Sequence, residues 1–362
     1  MNAFKNILRV LGIILLVILI AAVGFLWLGN YHPAPVENEA VSCPDTAPML
    51  EPGQSLKVLT WNVQTMSGKK YVFWSDLPNN DGPDDKPFLE DITATLEDTV
   101  RVIRAEDPDI LLIQEIDDGA ERTYYEDQLA RLTGMLPEYP CVTSAFDWKS
   151  VYVPHPRIKG SVGWKVAILS KYKISDAERI QLSIAQSDII SDQFKIKPAV
   201  LKAVLPVSDG SKFAVLTVHL DLYVPGTNTK DVQLQEIEKI LVDLDASNIP
   251  WLLGGDFNLL PPDDAARIRL LLDHQKYYNT SSEIQYLYGR HQAVPSLEEV
   301  TGTDFANWFT RWPNDPAIKA PDRTLDYFFL ADSVLLGEHH VRMQDTLHIS
   351  DHLPVVVEIS LP

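Results

Sequence analysis

Four stretches of this 362-residue chain share one pattern: Leu59-Thr60-Trp61-Asn62, Leu111-Leu112-Ile113-Gln114-Glu115, Leu216-Thr217-Val218-His219 and Gly254-Gly255-Asp256-Phe257-Asn258. Each is an apolar run that reads as a buried strand, closed by a polar residue able to do chemistry. Two shorter segments follow, Thr324-Leu325-Asp326-Tyr327 and Ser350-Asp351-His352. Strands that end in Asn, Glu, His and Asp-x-Asn put those ends along one rim of a sheet. Carboxylates, amides and imidazoles gathered there suit a hard divalent cation, which takes carboxylate oxygen and keeps several waters, together with a phosphate. Asp256 and Asn258 are two residues apart, so they face the same way if strand geometry continues. Gly254 and Gly255 let backbone approach a ligand closely. Read singly, each residue has a plainer reading. Glu115 is then a solvated strand end, Asn62 a turn residue, and Asp256–Asn258 an Asx-type turn. His274, His291, His339 and His340 fall in no such segment.

The elements that must position these ends can be read from the same pattern. Strands are predicted at Val58–Trp61, Ile110–Ile116, Val166–Leu169, Ala199–Leu205, Phe213–Val218, Trp251–Gly254, Leu325–Leu330 and Val355–Ile359. Ile92, Leu96, Val100 and Ile103 recur at helical spacing, as do Leu234, Ile237, Leu241 and Leu244, and Pro108 and Pro250 close those helices. The polar stretch from Ser75 to Pro87 reads as a surface loop. Mixed hairpins and helix crossovers predict two packed sheets with helices outside. Tyr71, Phe73 and Trp74 closely follow Asn62. The long segment from Tyr277 to Trp312 adds Tyr278, Tyr286, Tyr288, Trp308 and Phe309. These aromatics either pack, or line a groove where they stack on bases or rest on lipid.

The first thirty residues form a separate unit. Val10 to Gly29 is almost wholly apolar and uncharged; at ~1.5 Å per residue it spans about 30 Å, the thickness of a bilayer's hydrocarbon. Lys5 and Arg9 precede it and no acid occurs before Glu37. The positive-inside rule then keeps the N-terminus in the cytoplasm and exports the rest, to the periplasmic face of the inner membrane in a bacterium. A cleaved signal peptide is the alternative, but no Ala-x-Ala site follows Leu28. Residues 1–30 are thus read as stub and anchor, 31–55 as a linker rich in Pro, Glu and Ala, and 56–362 as the catalytic domain. The chain has 50 acidic against 31 basic residues, a net charge of −19, which repels polyanions and opposes tight, non-specific nucleic-acid binding. Cys43 and Cys141 both follow the apolar run. Bridged in an oxidising compartment, they would pin the linker to the domain; otherwise they are two unpaired thiols.

Taken in order, Trp-Asn, Gln-Glu, Gly-Asp-Phe-Asn, Leu-Asp-Tyr and Ser-Asp-His resemble the endonuclease/exonuclease/phosphatase superfamily, over roughly Lys57 to Ser360. Its members include deoxyribonucleases and neutral sphingomyelinases. The resemblance implies a four-layer α/β/β/α sandwich, here preceded by one transmembrane helix. It implies hydrolysis of a phosphoester, most simply a phosphodiester, with magnesium or alternatively manganese. It also implies roles. Glu115 holds the metal, with Asn62 and Asp351 beside it. Asp256 orients or deprotonates the attacking water. Asn258 and Asn62 bind the phosphate, and His219 hydrogen-bonds a phosphate oxygen or assists the leaving group. His352, paired with Asp326, stabilises the transition state. The substrate is then nucleic acid or a phospholipid head group, and no segment reads as a site for a protein partner. The alternative from another class is an inactive relative that only binds a phosphorylated ligand.

Overall fold

The computed structural model describes residues 2–221, 226–262, 278–279 and 281–362. Two parallel strand pairs carry the architecture. In the first, β3 (Ser55–Asn62) runs beside β4 (Ile110–Asp117), joined by helix α2 (Leu89–Glu106). In the second, β9 (Lys212–His219) runs beside β10 (Trp251–Asp256), joined by α4 (Thr229–Ala246). Parallel neighbours need such a crossover, and a helix supplies it.

Antiparallel strands complete two seven-stranded sheets. The first sheet adds β5 (Cys141–Val153), β6 (Gly160–Ser170), β13 (Leu335–Val341) and β14 (Val355–Ser360). The second adds β7 (Asp176–Gln181), β8 (Ala199–Pro206), β11 (Gln292–Val294) and β12 (Asp326–Leu330). Alternation along the strands sorts side chains to the two faces. Val58, Leu112 and Ile168 face the second sheet's Val200 and Val215, in the core between the sheets. Leu59, Ile113 and Leu169 face outward onto Ile92, Leu96 and Ile103 of α2. On the other side Leu234, Ile237 and Leu241 of α4 cover the second sheet. The layers are therefore helix, sheet, sheet, helix.

Two expectations are corrected. Residues 31–55 are not a free linker: β1 (Val36–Asn38) pairs with β7, and β2 (Val41–Ser42) pairs with β5. Their short length and Pro-rich surroundings hide them in the sequence. The apolar helix α1 runs Asn2–Leu28, and its candidate membrane span is Phe4–Phe25, with none of that window buried, earlier than the Val10 to Gly29 reading. Strand β5 is not among the predicted strands, because its inward positions include Thr143 and Asp147, both buried. Cys43 and Cys141 are bonded to each other.

Candidate active site

The carboxyl ends of the two parallel pairs meet at one rim. Asn62 and Gln114 are register partners in the first sheet, and His219 and Asp256 in the second. Gln114 turns inward and donates to Thr60 Oγ1 at 3.0 Å and Thr217 Oγ1 at 2.9 Å, tying the sheets together. Glu115 comes next in sequence and must face the other way. A bulge between Ile113 and Ile116 and a φ of 54° at Glu115 re-aim its side chain into the cleft. Bulges and positive φ values at non-glycine residues concentrate at functional sites. Asn258 also has a positive φ, 50°. At Gly255 a Cβ would meet the carbonyl oxygen of Val218 at 2.1 Å, so only glycine lets β10 lie this close to β9.

Asn62 links the two halves. The backbone N–H of Gln64 donates to its Oδ1 at 3.0 Å, which fixes the amide's orientation. Its Nδ2 then donates to Glu115 Oε1 at 3.0 Å and to Asp256 Oδ2 at 3.1 Å. The other oxygen of Asp256 accepts from the Asn258 N–H at 2.9 Å, while the Asn258 amide donates to Leu220 O at 2.7 Å.

His352 lies between two carboxylates. Its Nδ1 is 2.8 Å from Asp326 Oδ2 and its Nε2 is 3.4 Å from Asp256 Oδ2. Asp256 and Asp326 are register partners on β10 and β12, which puts both acids at one level. Burial alone would lower the pKa of His352, but Asp326 and Asp256 outweigh it and raise it to about 9. Burial likewise acts to raise Asp256, yet His352 and His219 together hold it below its ordinary value. Asp256, Asp326 and His352 offer ligand atoms all within 4.8 Å of one another. Because Asp326 already engages Nδ1, this trio is a hydrogen-bonded ion cluster around an imidazolium rather than a cation cage. His219 points Nε2 into the same space, 3.6 Å from Glu115 Oε1 and 3.8 Å from Asp256 Oδ2.

Local bonds hold the last segment in place. Ser350 Oγ donates to Asn62 O at 2.8 Å, and the indole of Trp61 donates to His352 O at 3.0 Å. Thr310 Oγ1 accepts from the N–H groups of Leu325 and Asp326, which ties the aromatic segment to the site. Asp351 faces the cleft, in contact with the half-buried guanidinium of Arg311.

The cleft so formed has a volume of about 260 Å³. Seven of the eight residues expected from sequence are directly bonded or within 4 Å of one another in one network. Asp351 joins them through Gln64, whose Oε1 accepts its N–H at 3.1 Å. Sequence reasoning missed three residues here. Asp147 lies buried behind His219, with Oδ2 4.0 Å from Nδ1, and neither of its oxygens has a hydrogen-bond partner among the described residues. Gln64 and Arg311 carry no strand-end signature. Of the aromatics, Phe73, Trp164 and Tyr278 line the cleft. Tyr71 is buried, Trp74 stacks on His155, and Trp308 packs against the core. Tyr277 and His274 lie outside the described residues.

A model of the endonuclease/exonuclease/phosphatase family matches residues 59–352. No curated protein matches the sequence. Among solved structures, an endonuclease/exonuclease/phosphatase from Beutenbergia cavernae superposes with a TM-score of 0.54 at 22% identity, covering 85% of this chain and 72% of its own. The catalytic domain of human Nocturnin, solved with a bound sulfate anion, gives 0.52 at 16% identity over 90% and 97%. A family protein from Leptotrichia buccalis gives 0.51 at 16% identity over 84% and 99%. At these identities the likeness establishes the fold.

Proposed function

Because the chain belongs to the endonuclease/exonuclease/phosphatase family, we propose that it is a membrane-anchored, exported, divalent-metal-dependent phosphodiesterase in which water attacks phosphorus. The observation that carries this reading is the Asn62 amide, hydrogen-bonded to both Glu115 and Asp256. It holds the cation-binding carboxylate and the water-orienting carboxylate in fixed relation.

The donor set fits a hard cation. Among the described residues Glu115 has no lysine or arginine within ion-pair distance, and its neighbours offer oxygen rather than sulfur. Glu115 would hold the ion, with Asp351, which also contacts Arg311, as a further carboxylate of the cleft. Asn62, whose Oδ1 is taken by Gln64, serves by fixing Glu115. When bound, the cation supplies Lewis-acid neutralisation of the phosphate charge.

The chain's own residues do the rest. Asp256, kept ionised by His352 and His219, accepts a proton from the water and aims its oxygen at phosphorus. A new P–O bond forms to that oxygen as the bond to the leaving alkoxide breaks. His352, protonated, donates to a phosphoryl oxygen where charge builds in the transition state, and Asp326 holds its ring. His219 donates toward the leaving oxygen, so the products are a phosphomonoester and an alcohol. Asn258 has a second amide proton for another phosphoryl oxygen.

Export rests on two features: Lys5 and Arg9 stand in the N-terminal turns of the candidate span, ahead of its uncharged part, and a Cys43–Cys141 bond persists in an oxidising compartment. A screen of the purified chain on bis-p-nitrophenyl phosphate, DNA, RNA and sphingomyelin, with and without magnesium, tests the reading. Magnesium-dependent cleavage of at least the generic diester is expected. No turnover of any of the four would overturn it.

A further inference from the structure

Large apolar side chains exposed one at a time are ordinary on a protein surface. Val36, Met49, Val242, Leu297 and Leu335 are of that kind. Outside α1, the remaining exposed ones among the described residues come as adjacent pairs: Phe88–Leu89, Tyr124–Tyr125, Val151–Tyr152 and Ile189–Ile190. Ile189 is 85% exposed and Phe88 67%.

The topology puts all four pairs at one end of the sandwich, the end that carries the site. Phe88 and Leu89 open α2, which leaves the Asn62 end of β3. Tyr124 and Tyr125 follow the Glu115 end of β4. Ile189 and Ile190 lie in the connection from β7 to β8, whose mouth is the Gln181–Ala199 pair, beside Val218. On β5, Trp148 pairs with Trp164, which pairs with Asp117 beside the site. Val151 and Tyr152 therefore project roughly 10 Å further, at about 3.3 Å per residue.

The same end is where α1 joins the domain, and it joins without slack. The Val151 N–H donates to Gly29 O at 2.8 Å, and the Tyr31 N–H donates to Lys149 O at 3.2 Å. His32 stacks on Trp27 and hydrogen-bonds Gln193, next to the Ile189–Ile190 turn. Only three residues separate Phe25, the end of the candidate span, from Gly29. That is about 6 Å of helix, comparable to the thickness of one headgroup layer. Lys149 and Lys159 stand exposed at this end, while Asp188 caps its own turn and Asp192 pairs with Lys195.

We propose that the site end of the domain docks on the bilayer that holds α1, with the four apolar pairs in the headgroup layer, so that the cleft takes its phosphodiester from a membrane lipid. This rests on the reading of α1 as a membrane anchor and of the cleft as a phosphodiesterase. An apolar wall leads inward from the docking edge. The Trp148 indole donates to Phe194 O at 2.7 Å and packs edge-on against Trp164, and Trp164 and Ile196 line the cleft. Paired apolar side chains of this size, beside lysines, fit a lipid surface.

The full chain, reconstituted in vesicles of phosphatidylcholine and phosphatidylglycerol, tests this. Both native cysteines are bonded, so Ile190→Cys, Tyr125→Cys and Leu335→Cys each offer one thiol for a fluorophore. Leu335 pairs with Ser360 at the opposite end, where β3 begins, and is the control. Brominated phosphatidylcholine is expected to quench the labels at 190 and 125 and to spare that at 335. Equal quenching at all three, or none at 190 and 125 while the chain resists carbonate extraction, would overturn the docking. Extraction by carbonate would remove the anchor reading instead.

Activity supplies the second readout. The double variant Ile189→Asp/Ile190→Asp should hydrolyse vesicle phospholipid at least about tenfold more slowly, with turnover of bis-p-nitrophenyl phosphate unchanged. A chain that cleaves the soluble diester but no vesicle phospholipid would overturn the substrate class. A chain that cleaves neither would overturn the phosphodiesterase reading beneath it.

Discussion

The His352–Asp326 contact makes a prediction that separates a working pair from two neighbours. His352→Ala should slow turnover by roughly 10²–10⁴-fold, the range of a positioned proton donor. Asp326→Asn should cost less, because it loosens the ring without deleting it. Since both act through one hydrogen-bonded unit, the double variant should be little worse than His352→Ala alone. Rates with saturating metal on purified, folded variants check this; multiplicative losses would contradict it. Asp147 makes a second prediction, on stability. Burial pushes its carboxyl up from 3.8 to about 7, against the pull of His219 and Arg179. Between those values the folded chain keeps a proton that the unfolded chain has lost. Stability therefore falls as pH rises from about 4 to about 7, and is level above. Asp147→Asn has no such proton to lose. Relative to the parent it should gain on the order of 2 kcal/mol between ~pH 5 and ~pH 8 in denaturant titrations. An unchanged difference between the two pH values would show that Asp147 is not held protonated.

At the scale of elements, the Cys43–Cys141 bond fastens β2 to the buried first residue of β5. It closes a loop with a sequence separation of 98, so the chain-entropy model assigns it about 4–5 kcal/mol. Chemical denaturation of the reduced and oxidised chain should differ by a large part of that amount. Equal midpoints would mean that the seam is held by pairing alone. The elements readable in sequence were those whose burial is simple. Both crossover helices, and the strands ending in Asn62, Glu115, His219 and Asp256, announce themselves because each apolar stripe faces a single core. Strands β5 and β7 do not, because their inward positions include Asp147 and a fully buried Arg179. Strand β13 is a half-exposed edge, and β1 and β2 are too short to show a period. The site was legible where a strand's last residue does the chemistry. It was illegible where a loop residue such as Gln64 or Arg311 reaches in from elsewhere, since only the fold brings it there.

For the whole molecule, the formal charge of −19 and the apolar helix α1 pull in different directions. The body after α1 is acid-rich, while α1 is long and apolar enough to cross a bilayer. Lys5 and Arg9, at the N-terminal end of the candidate span, predict that the N-terminus stays inside and that protease added to sealed, right-side-out vesicles digests the catalytic domain. Complete protection would reverse the orientation, and with it the compartment argument for the disulfide. The central claim is that two sheets converge to hold a cation-dependent phosphodiesterase site around Glu115. Its most direct test is hydrolysis of bis-p-nitrophenyl phosphate by the full chain and by Glu115→Gln, after chelator and then after added magnesium. Glu115→Gln keeps the shape of the side chain and deletes the charge that a weakly coordinating oxygen site needs. The parent should lose activity in chelator and regain it with magnesium, and the variant should stay at background in both. Full activity of Glu115→Gln in chelator would contradict the account.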